Sequence, residues 1–414
     1  MAYQKKPAKH EKIESYEQQI KRTRLKRIQS LLNRPGLTQE QKETMQRFYG
    51  WLQRKGLRLE SQKAYLQNLF LLFRDMKSVL APSKKDIDDY LALVSQQYKP
   101  KTETERRKFL LLFYEWYYDK KHEEIELLKD VSVKKSKGLK LPDELLTPEE
   151  IKKITQVADN FRDKAIIMLL YETACRKGEF LKLCIKHVEL EESKGKKYGF
   201  ITIPMGKTDS RKIPLIYSLP YVINWLNSHP NRDDPNNPLF ITLGSYLGQS
   251  LGEDGLKMLV KRLGRRAGIK KNIYPHLFRH SRLTELAKEL TEQELKIFAG
   301  WTPDSNMASV YVHLSGNDVS NKILANAGLI DSNIIKKGQK ILMQIECPGC
   351  HKLNPSDTKY CSCGKVLDLN EAQKLIDKRE KDKDSVRKEL QELREQQRKI
   401  MVLIAENVDK RKNL

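Results

Sequence analysis

The sequence has 414 residues, enough for roughly two or three domains with at least one sizeable core. Lysine and arginine total 78 against 54 acidic residues, so the net charge is +24 and the pI is near 9.5. This charge favours a polyanionic partner such as nucleic acid, although a protein rich in surface lysine and glutamate would have the same composition. No apolar run approaches the ~18 residues of a membrane span, and the basic N-terminus lacks the apolar region of a signal peptide. We therefore expect a cytoplasmic protein without a membrane partner.

The N-terminal third divides into a basic arm and a helical bundle. Residues 1–36 are rich in lysine and arginine and are expected to form a flexible arm or a frayed helix, lying along phosphates or simply solvated. Residues 37–128 carry apolar side chains at helical spacing in four segments, which predicts a small antiparallel bundle with these stripes in its core. Three of the segments have candidate N-caps, which are Thr38, Ser83 and Thr102. Residues 129–146, rich in lysine, glycine and proline, are predicted to be a linker.

A second folded unit is predicted over residues 147–335. It begins at Thr147, where an N-cap, a proline at the first helical position and a capping-box glutamate coincide. The apolar run 165–171 predicts a buried helix that leads to Arg176, and the β-branched segments 198–204 and 212–217 predict a hairpin with Lys207 at its tip.

The segment from residue 274 to residue 313 has the strongest indication of chemistry. His276 and Arg279 are three residues apart, so they share one face of a helix and could bind one anion. A guanidinium and an imidazole suit a phosphodiester that is being transferred between oxygens. Tyr311, further along, could attack such a phosphodiester.

These residues occur in the order of a known active site. The relevant motifs are Arg176-x-x-Glu179, Lys207 on a hairpin, His276-x-x-Arg279, Gly300-Trp301 and Tyr311. The sequence resembles the tyrosine recombinases, the phage-integrase family, of an archaeal or mobile-element type. The resemblance implies a mainly α fold with a small β-sheet (α+β), in which a helical SAM-like core-binding domain precedes the catalytic domain. Ala174 stands where the family usually has glycine, and Trp301 stands where most members have histidine.

The resemblance also implies a role for each residue. Arg176 and Arg279 would hold the non-bridging oxygens, with Glu179 orienting Arg176 and the Trp301 indole N–H donating to the same oxygens. The remaining catalytic roles fall to three residues: His276 assists proton removal from Tyr311 or binds phosphate, Lys207 protonates the departing 5′ oxygen, and Tyr311 is the nucleophile. His280 follows Arg279 and points about 100° away on a helix, so a packing or supporting role is expected for it.

The implied reaction is site-specific DNA recombination through a 3′-phosphotyrosyl intermediate, with two strand exchanges via a Holliday junction. It needs no ATP and no catalytic cofactor. The expected partners are double-stranded DNA with specific recombination sites and further copies of the chain, as a tetramer on two DNA sites. A type IB topoisomerase and a recombinase-derived DNA-binding protein without catalysis are the alternatives. The small bundle and a C-terminal interaction helix argue against the first, and the full set of candidate residues argues against the second.

Two further modules are predicted after the catalytic unit. Residues 345–366 resemble a zinc ribbon, with a shortened second Cys-x-Cys pair that leaves His351 as a possible substitute ligand; the candidate ligands for a structural zinc are Cys347, Cys350, Cys361 and Cys363. Reduced cysteines in an irregular tail are the alternative.

Residues 367–414 predict a long helix. Apolar residues at heptad spacing form a seam along this helix, interrupted by Gln397; they are Val386, Leu390, Leu393, Ile400 and Ile404. The seam indicates either a coiled coil or a single helix that is solvated or folded back.

Overall fold

A computed structural model describes residues 16–133, 144–193, 196–204, 210–244, 247–314 and 341–412. The elements are mainly helical, with one three-stranded and one two-stranded antiparallel sheet among the described residues, as the expected α+β class requires. Lys207 lies outside the described residues, as do most of the predicted linker and the end of the predicted catalytic unit. None of the described helices combines the length and apolarity needed to cross a bilayer.

The N-terminal bundle contains five described helices, one more than the sequence pattern predicts. They are α1 (Tyr16–Leu32), α2 (Gln39–Arg54), α3 (Leu59–Asp75), α4 (Lys84–Gln97) and α5 (Pro100–Tyr118). The additional helix α1 lies in the segment expected to be a flexible arm or a frayed helix, and it packs on α3. Its Ile28, Leu31 and Leu32 are buried in the same core as Phe48 and Phe113. Only a few apolar residues are needed to anchor a mostly charged helix when all of them face one neighbour.

Of the three N-caps predicted for the bundle, two are confirmed by the structure and one is wrong. Thr38 and Ser83 each form a capping box with the residue three positions later. Thr102 is not a cap, because α5 begins two residues earlier with Pro100 in its first turn. Proline has a backbone angle suited to the first helical turn and loses no needed N–H there, so a side-chain cap is not required.

The second unit places a small sheet beside a set of short helices. The helices are α6 (Pro148–Gln156), α7 (Phe161–Thr173), α8 (Lys177–Phe180), α9 (Leu219–Ser228), α10 (Glu253–Arg266), α11 (Pro275–Leu286), α12 (Glu292–Ala299) and α13 (Met307–Leu314). The strands are β1 (Val188–Ser193), β2 (Lys196–Ile203) and β3 (Arg211–Leu215), paired antiparallel in the order β1-β2-β3. β2 and β3 form the predicted hairpin, and Ile203 opposite Arg211 is the pair next to the connection between the two strands.

Helix α7 is the centre of this unit. Its residues from Arg162 to Thr173 are buried except Lys164, and it contacts α6, α9 and α11. The buried carboxylate of Glu172 accepts backbone N–H bonds from Ile216 at 2.6 Å, Tyr217 at 2.7 Å and Ser218 at 2.9 Å. These bonds tie the end of β3 to the end of α7, so the hairpin is held at a defined position relative to Arg176.

The C-terminal part consists of a small hairpin and one long helix. Strands β4 (Ile345–Glu346) and β5 (Leu353–Asn354) pair antiparallel within the cysteine-containing segment. The final helix, α14 (Leu369–Lys412), has 44 residues.

Candidate active site

The turn after α7 begins the site. Ala174 ends the helix in a left-handed conformation with φ of +46° and is completely buried. A left-handed conformation costs a non-glycine residue about 1–2 kcal/mol, which explains why glycine is preferred at such a position. The turn is retained with alanine in this chain, and it directs the Ala174 carbonyl toward α11.

Arg279 on α11 is held by the ends of two helices. Its Nη1 donates to the Ala174 carbonyl at 2.5 Å, and its Nη2 donates to the Ala299 carbonyl at the end of α12 at 2.8 Å. The guanidinium lies 5.4 Å from the centre of the Trp301 ring, and the residue is only 2% exposed. Burial, reinforced by nearby Arg176, lowers the pKa of Arg279 to about 10, so it remains a cation at neutral pH.

Arg176 is oriented by a carboxylate and by a third helix-terminal carbonyl. Its Nη1 donates to Glu179 Oε1 at 2.6 Å, and its Nη2 donates to the carbonyl of Gly300 at 2.9 Å. Glu179 also accepts from Arg211 of β3 at 2.9 Å. Burial alone would raise the pKa of Glu179, but Arg211 and Arg176 outweigh it and hold that pKa below its ordinary value. Glu179 is therefore an anion between two arginines, as expected of a residue that orients Arg176.

Tyr311 enters the site from α13. Its Oη lies 2.8 Å from Nδ1 of His280, and its ring stacks on Trp301 with centroids 5.4 Å apart. Burial raises the pKa of Tyr311, whereas Arg279 and Arg176 act in the opposite direction. The hydroxyl therefore has a hydrogen-bonding imidazole beside it and two cations near enough to favour its ionised form.

His276 lies one helical turn before His280. The two rings are 4.8 Å apart in a T-shaped arrangement. The surrounding protein desolvates the His276 ring, and Arg279 and Arg176 repel its protonated form; both effects lower the pKa of His276. His276 is therefore a neutral hydrogen-bonding group at pH 7.

The structure brings together most of the predicted residues and adds two. Six of the predicted site residues that the structure describes lie together here; they are Arg176, Glu179, His276, Arg279, Trp301 and Tyr311. Two contacts were not predicted from the sequence, that of His280 with Tyr311 and that of Arg211 with Glu179. The i,i+4 spacing of His276 and His280, which places both on one helix face, was the available signal for His280. Arg211 had no comparable signal, because its role depends on the position of the hairpin.

Four cysteines form a separate candidate metal centre. The sulfur atoms of Cys347, Cys350, Cys361 and Cys363 all lie within 4.8 Å of one another. Tetrahedral zinc with Zn–S bonds of about 2.3 Å requires comparable sulfur separations, so this donor set fits zinc despite the short second pair. His351 is 2.9 Å from Glu346 instead and is not among the grouped donors.

Some basic residues considered for DNA contact have other partners. Arg106 is buried and donates to Asn68 at 3.0 Å, so it does not present its charge on the surface of the bundle. Helix α10 also carries a stripe of exposed basic side chains, which are Lys257, Lys261, Arg262, Arg265 and Arg266. Arg262 pairs with Asp163 and Arg266 with Asp159, so only part of the stripe's charge is uncompensated.

Comparison with known proteins is consistent with this geometry. Residues 144–317 match the model of the phage integrase family. Over these residues the chain is similar to the tyrosine recombinases, the phage integrase family. It is 35% identical over 162 residues to tyrosine recombinase XerA of Pyrococcus horikoshii, covering 38% of this chain and 53% of the relative. The chain thus spans about half the length of the curated relatives it matches first.

Solved tyrosine recombinase structures share the fold. A XerH site-specific recombinase bound to its palindromic difH substrate has a TM-score of 0.51 and 20% identity, covering 76% of this chain and 98% of that one. A lambda integrase tetramer bound to a Holliday junction has a TM-score of 0.52 and 15% identity, covering 65% and 76%. At these identities the comparison establishes the tyrosine recombinase fold for this chain.

The electrostatics of the site predict how His276 titrates. Replacing Arg176→Gln removes one of the cations that repel protonated His276, so the pKa of His276 should rise toward its ordinary value. His229 is the internal control, because burial and not a neighbouring charge lowers its pKa. NMR titration of the histidine ring protons in both proteins measures the effect. An equal change at both histidines, or no change at His276, would contradict this electrostatic account.

Proposed function

We propose that this protein is a site-specific DNA recombinase that breaks and rejoins DNA through a 3′-phosphotyrosyl intermediate on Tyr311. The observation that carries the proposal is the Tyr311 hydroxyl, held 2.8 Å from His280 beside two arginines that partly offset the rise in its pKa caused by burial. Exchanging a phosphodiester for a phosphotyrosine and back conserves bond energy, so the reaction requires no ATP.

The two arginines are suited to the phosphate. A guanidinium has five N–H donors, and the contacts described use two of them in Arg176 and two in Arg279. The remaining donors could bind the non-bridging oxygens, where negative charge grows in the transition state. Because the protein already orients both groups, little reorganisation is needed as the charge develops. Trp301 stacks on Tyr311, so its indole N–H could donate to the same oxygens.

His280 is proposed as the group that accepts the Tyr311 proton. Its Nδ1 is the nitrogen at hydrogen-bond distance, and it is an acceptor when the ring carries its proton on Nε2. His276, with its lowered pKa, would then bind the phosphate as a neutral donor. This assignment divides between two histidines the roles that the family resemblance left open for His276.

Lys207 is proposed as the general acid for the leaving 5′ oxygen. The end of the hairpin next to the connection that carries Lys207 lies beside the site, because Arg211, the first residue of β3, contacts Glu179. Lys212, also on β3, donates to the carboxylate of Glu189 on β1 at 2.6 Å, so its charge is already paired.

The proposed partners are double-stranded DNA with specific recombination sites and further copies of the chain, acting as a tetramer through two strand exchanges and a Holliday junction. The net charge of +24 supports a DNA partner. A comparison of exchange between two defined sites with relaxation of supercoiled DNA tests the reaction class. Relaxation by single protomers without exchange would overturn the recombinase proposal.

The nucleophile is tested with a nicked suicide substrate. Tyr311→Phe should abolish the covalent protein–DNA adduct and preserve binding, because only the attacking oxygen is lost. Tyr274→Phe is the matched control and should still form the adduct. Gel electrophoresis under denaturing conditions measures the adduct, and a mobility-shift assay measures binding. An adduct formed by the Tyr311→Phe protein would show that another residue attacks.

The proton acceptor is tested by two substitutions at His280. His280→Ala should slow cleavage by ~10²–10⁴-fold, the usual contribution of general acid–base catalysis. His280→Asn places an amide near the position of Nδ1 but cannot titrate, so it should keep DNA binding while flattening the pH dependence of cleavage below neutral pH. Single-turnover cleavage across pH 5.5 to 9, in steps of about half a unit, measures this. A wild-type rate and pH profile for His280→Asn would rule out the role.

The general acid is tested with a 5′-phosphorothiolate substrate, whose sulfur leaving group hardly needs a proton. Lys207→Ala should slow cleavage of ordinary DNA by ~10²–10⁴-fold, and the sulfur substrate should recover most of that loss. Arg176→Ala should not be rescued, since its charge acts on the non-bridging oxygens. Lys212→Ala, on the same hairpin, should cleave both substrates normally. Equal rescue of the Lys207 and Arg176 variants would assign the proton to a different group.

The cysteine cluster is proposed to hold one structural zinc ion. Four thiolates at tetrahedral separations suit zinc, and so small a segment would fold together with its metal. Cys347→Ser combined with Cys350→Ser should release zinc from the purified protein and leave cleavage of short DNA intact. Cys184→Ser, outside the cluster, should retain zinc. Elemental analysis measures the metal, and wild-type protein without zinc would refute the site.

A further inference from the structure

Helix α14 presents an apolar seam that nothing in the described part of the chain covers. Val386, Leu390 and Leu393 are 55%, 50% and 59% exposed. With 44 residues the helix is about 66 Å long, and its side chains from residue 373 to residue 398 are all exposed. Three large apolar residues on one stripe of a solvated helix indicate a surface that binds a partner.

The spacing of the seam defines a heptad register. Val386 and Leu393 occupy position d, and Leu390 occupies position a. In sequence the register continues with Ile400 at d and Ile404 at a, and the a positions on either side of Leu390 are polar, Lys383 and Gln397. Polar residues at a positions favour one register over shifted ones, because a shift would place them against apolar layers.

The charges flanking the seam decide the orientation of a partner helix. Next to Val386, Leu390 and Leu393 the g positions are acidic, Asp382 and Glu389, and the e positions are basic, Arg387 and Arg394. The following g and e residues, Gln396 and Met401, are uncharged. In a parallel, in-register pair of identical helices, each g residue faces the e residue five positions later on the partner, so both pairs attract. In an antiparallel pair, g faces g and e faces e, which would place like charges together. The chain is therefore complementary to itself in the parallel orientation.

We propose that α14 forms a parallel, in-register coiled coil with the same helix of a second copy of this chain. The partner's Arg387 side chain would lie beside Asp382, and the partner's Arg394 beside Glu389. The inference does not depend on the chemistry proposed for Tyr311. It would join protomers through a segment outside the catalytic unit.

Four charge variants of the full chain test the proposal. An acidic variant, Arg387→Glu with Arg394→Glu, and a basic variant, Asp382→Lys with Glu389→Lys, should each self-associate at least about tenfold more weakly than the wild type at low salt. An equimolar mixture of the two should recover association, because every flanking pair is again opposite in charge. A swapped variant with all four substitutions should associate like the wild type. Sedimentation equilibrium without DNA measures each case.

Substitutions in the apolar seam test whether the seam is the surface through which the copies associate. Leu390→Glu with Leu393→Glu should lose association, and circular dichroism checks that each variant remains helical. The proposal is overturned if the wild type is monomeric, or if the acidic and basic variants keep the wild-type mass. Either result leaves the Tyr311 adduct assay unaffected, so failure of this inference is distinguishable from failure of the proposed reaction.

Discussion

The buried guanidinium of Arg279 is the interaction on which the catalytic unit depends. It joins the carbonyl of Ala174 at the end of α7 to the carbonyl of Ala299 at the end of α12, two points 125 residues apart in the sequence. The C-terminal end of a helix carries partial negative charge and unpaired carbonyls, so both helix ends suit a cation. A buried charge is tolerated only when such partners satisfy it, which means that the helix ends and the arginine must be positioned together.

Arg176, like Arg279, is held by a carbonyl at the end of a helix. Gly300, in the left-handed conformation after α12, directs its carbonyl to Arg176, and Glu179 completes the orientation of that guanidinium. Glu179 in turn contacts Arg211 on β3. The two cations at the site and the hairpin that carries Lys207 therefore belong to one hydrogen-bonded network, and a displacement of the hairpin would be transmitted to Arg176 through a single carboxylate.

The chain combines this rigid unit with segments of a different physical kind. The catalytic helices are short and mutually buried, whereas α14 is long and solvated over most of its described length. The four-cysteine segment lies between them in the sequence, and the zinc ion proposed for it would contribute to its folding energy.

The order of the catalytic motifs and most of the local structure could be predicted from the sequence. The capping box at Thr147, the hairpin and the long C-terminal helix could be predicted because each depends on short-range patterns. The tertiary structure decided which side chains meet. His280 was expected to have a packing or supporting role, and α13 brings Tyr311 to the side of α11 on which His280 lies. The basic side chain of Arg106 on α5 is buried against Asn68, a contact that no local pattern predicts. Helix spacing fixes directions around one axis, but the contacts depend on how separate helices pack, and this is set by the burial of the whole core.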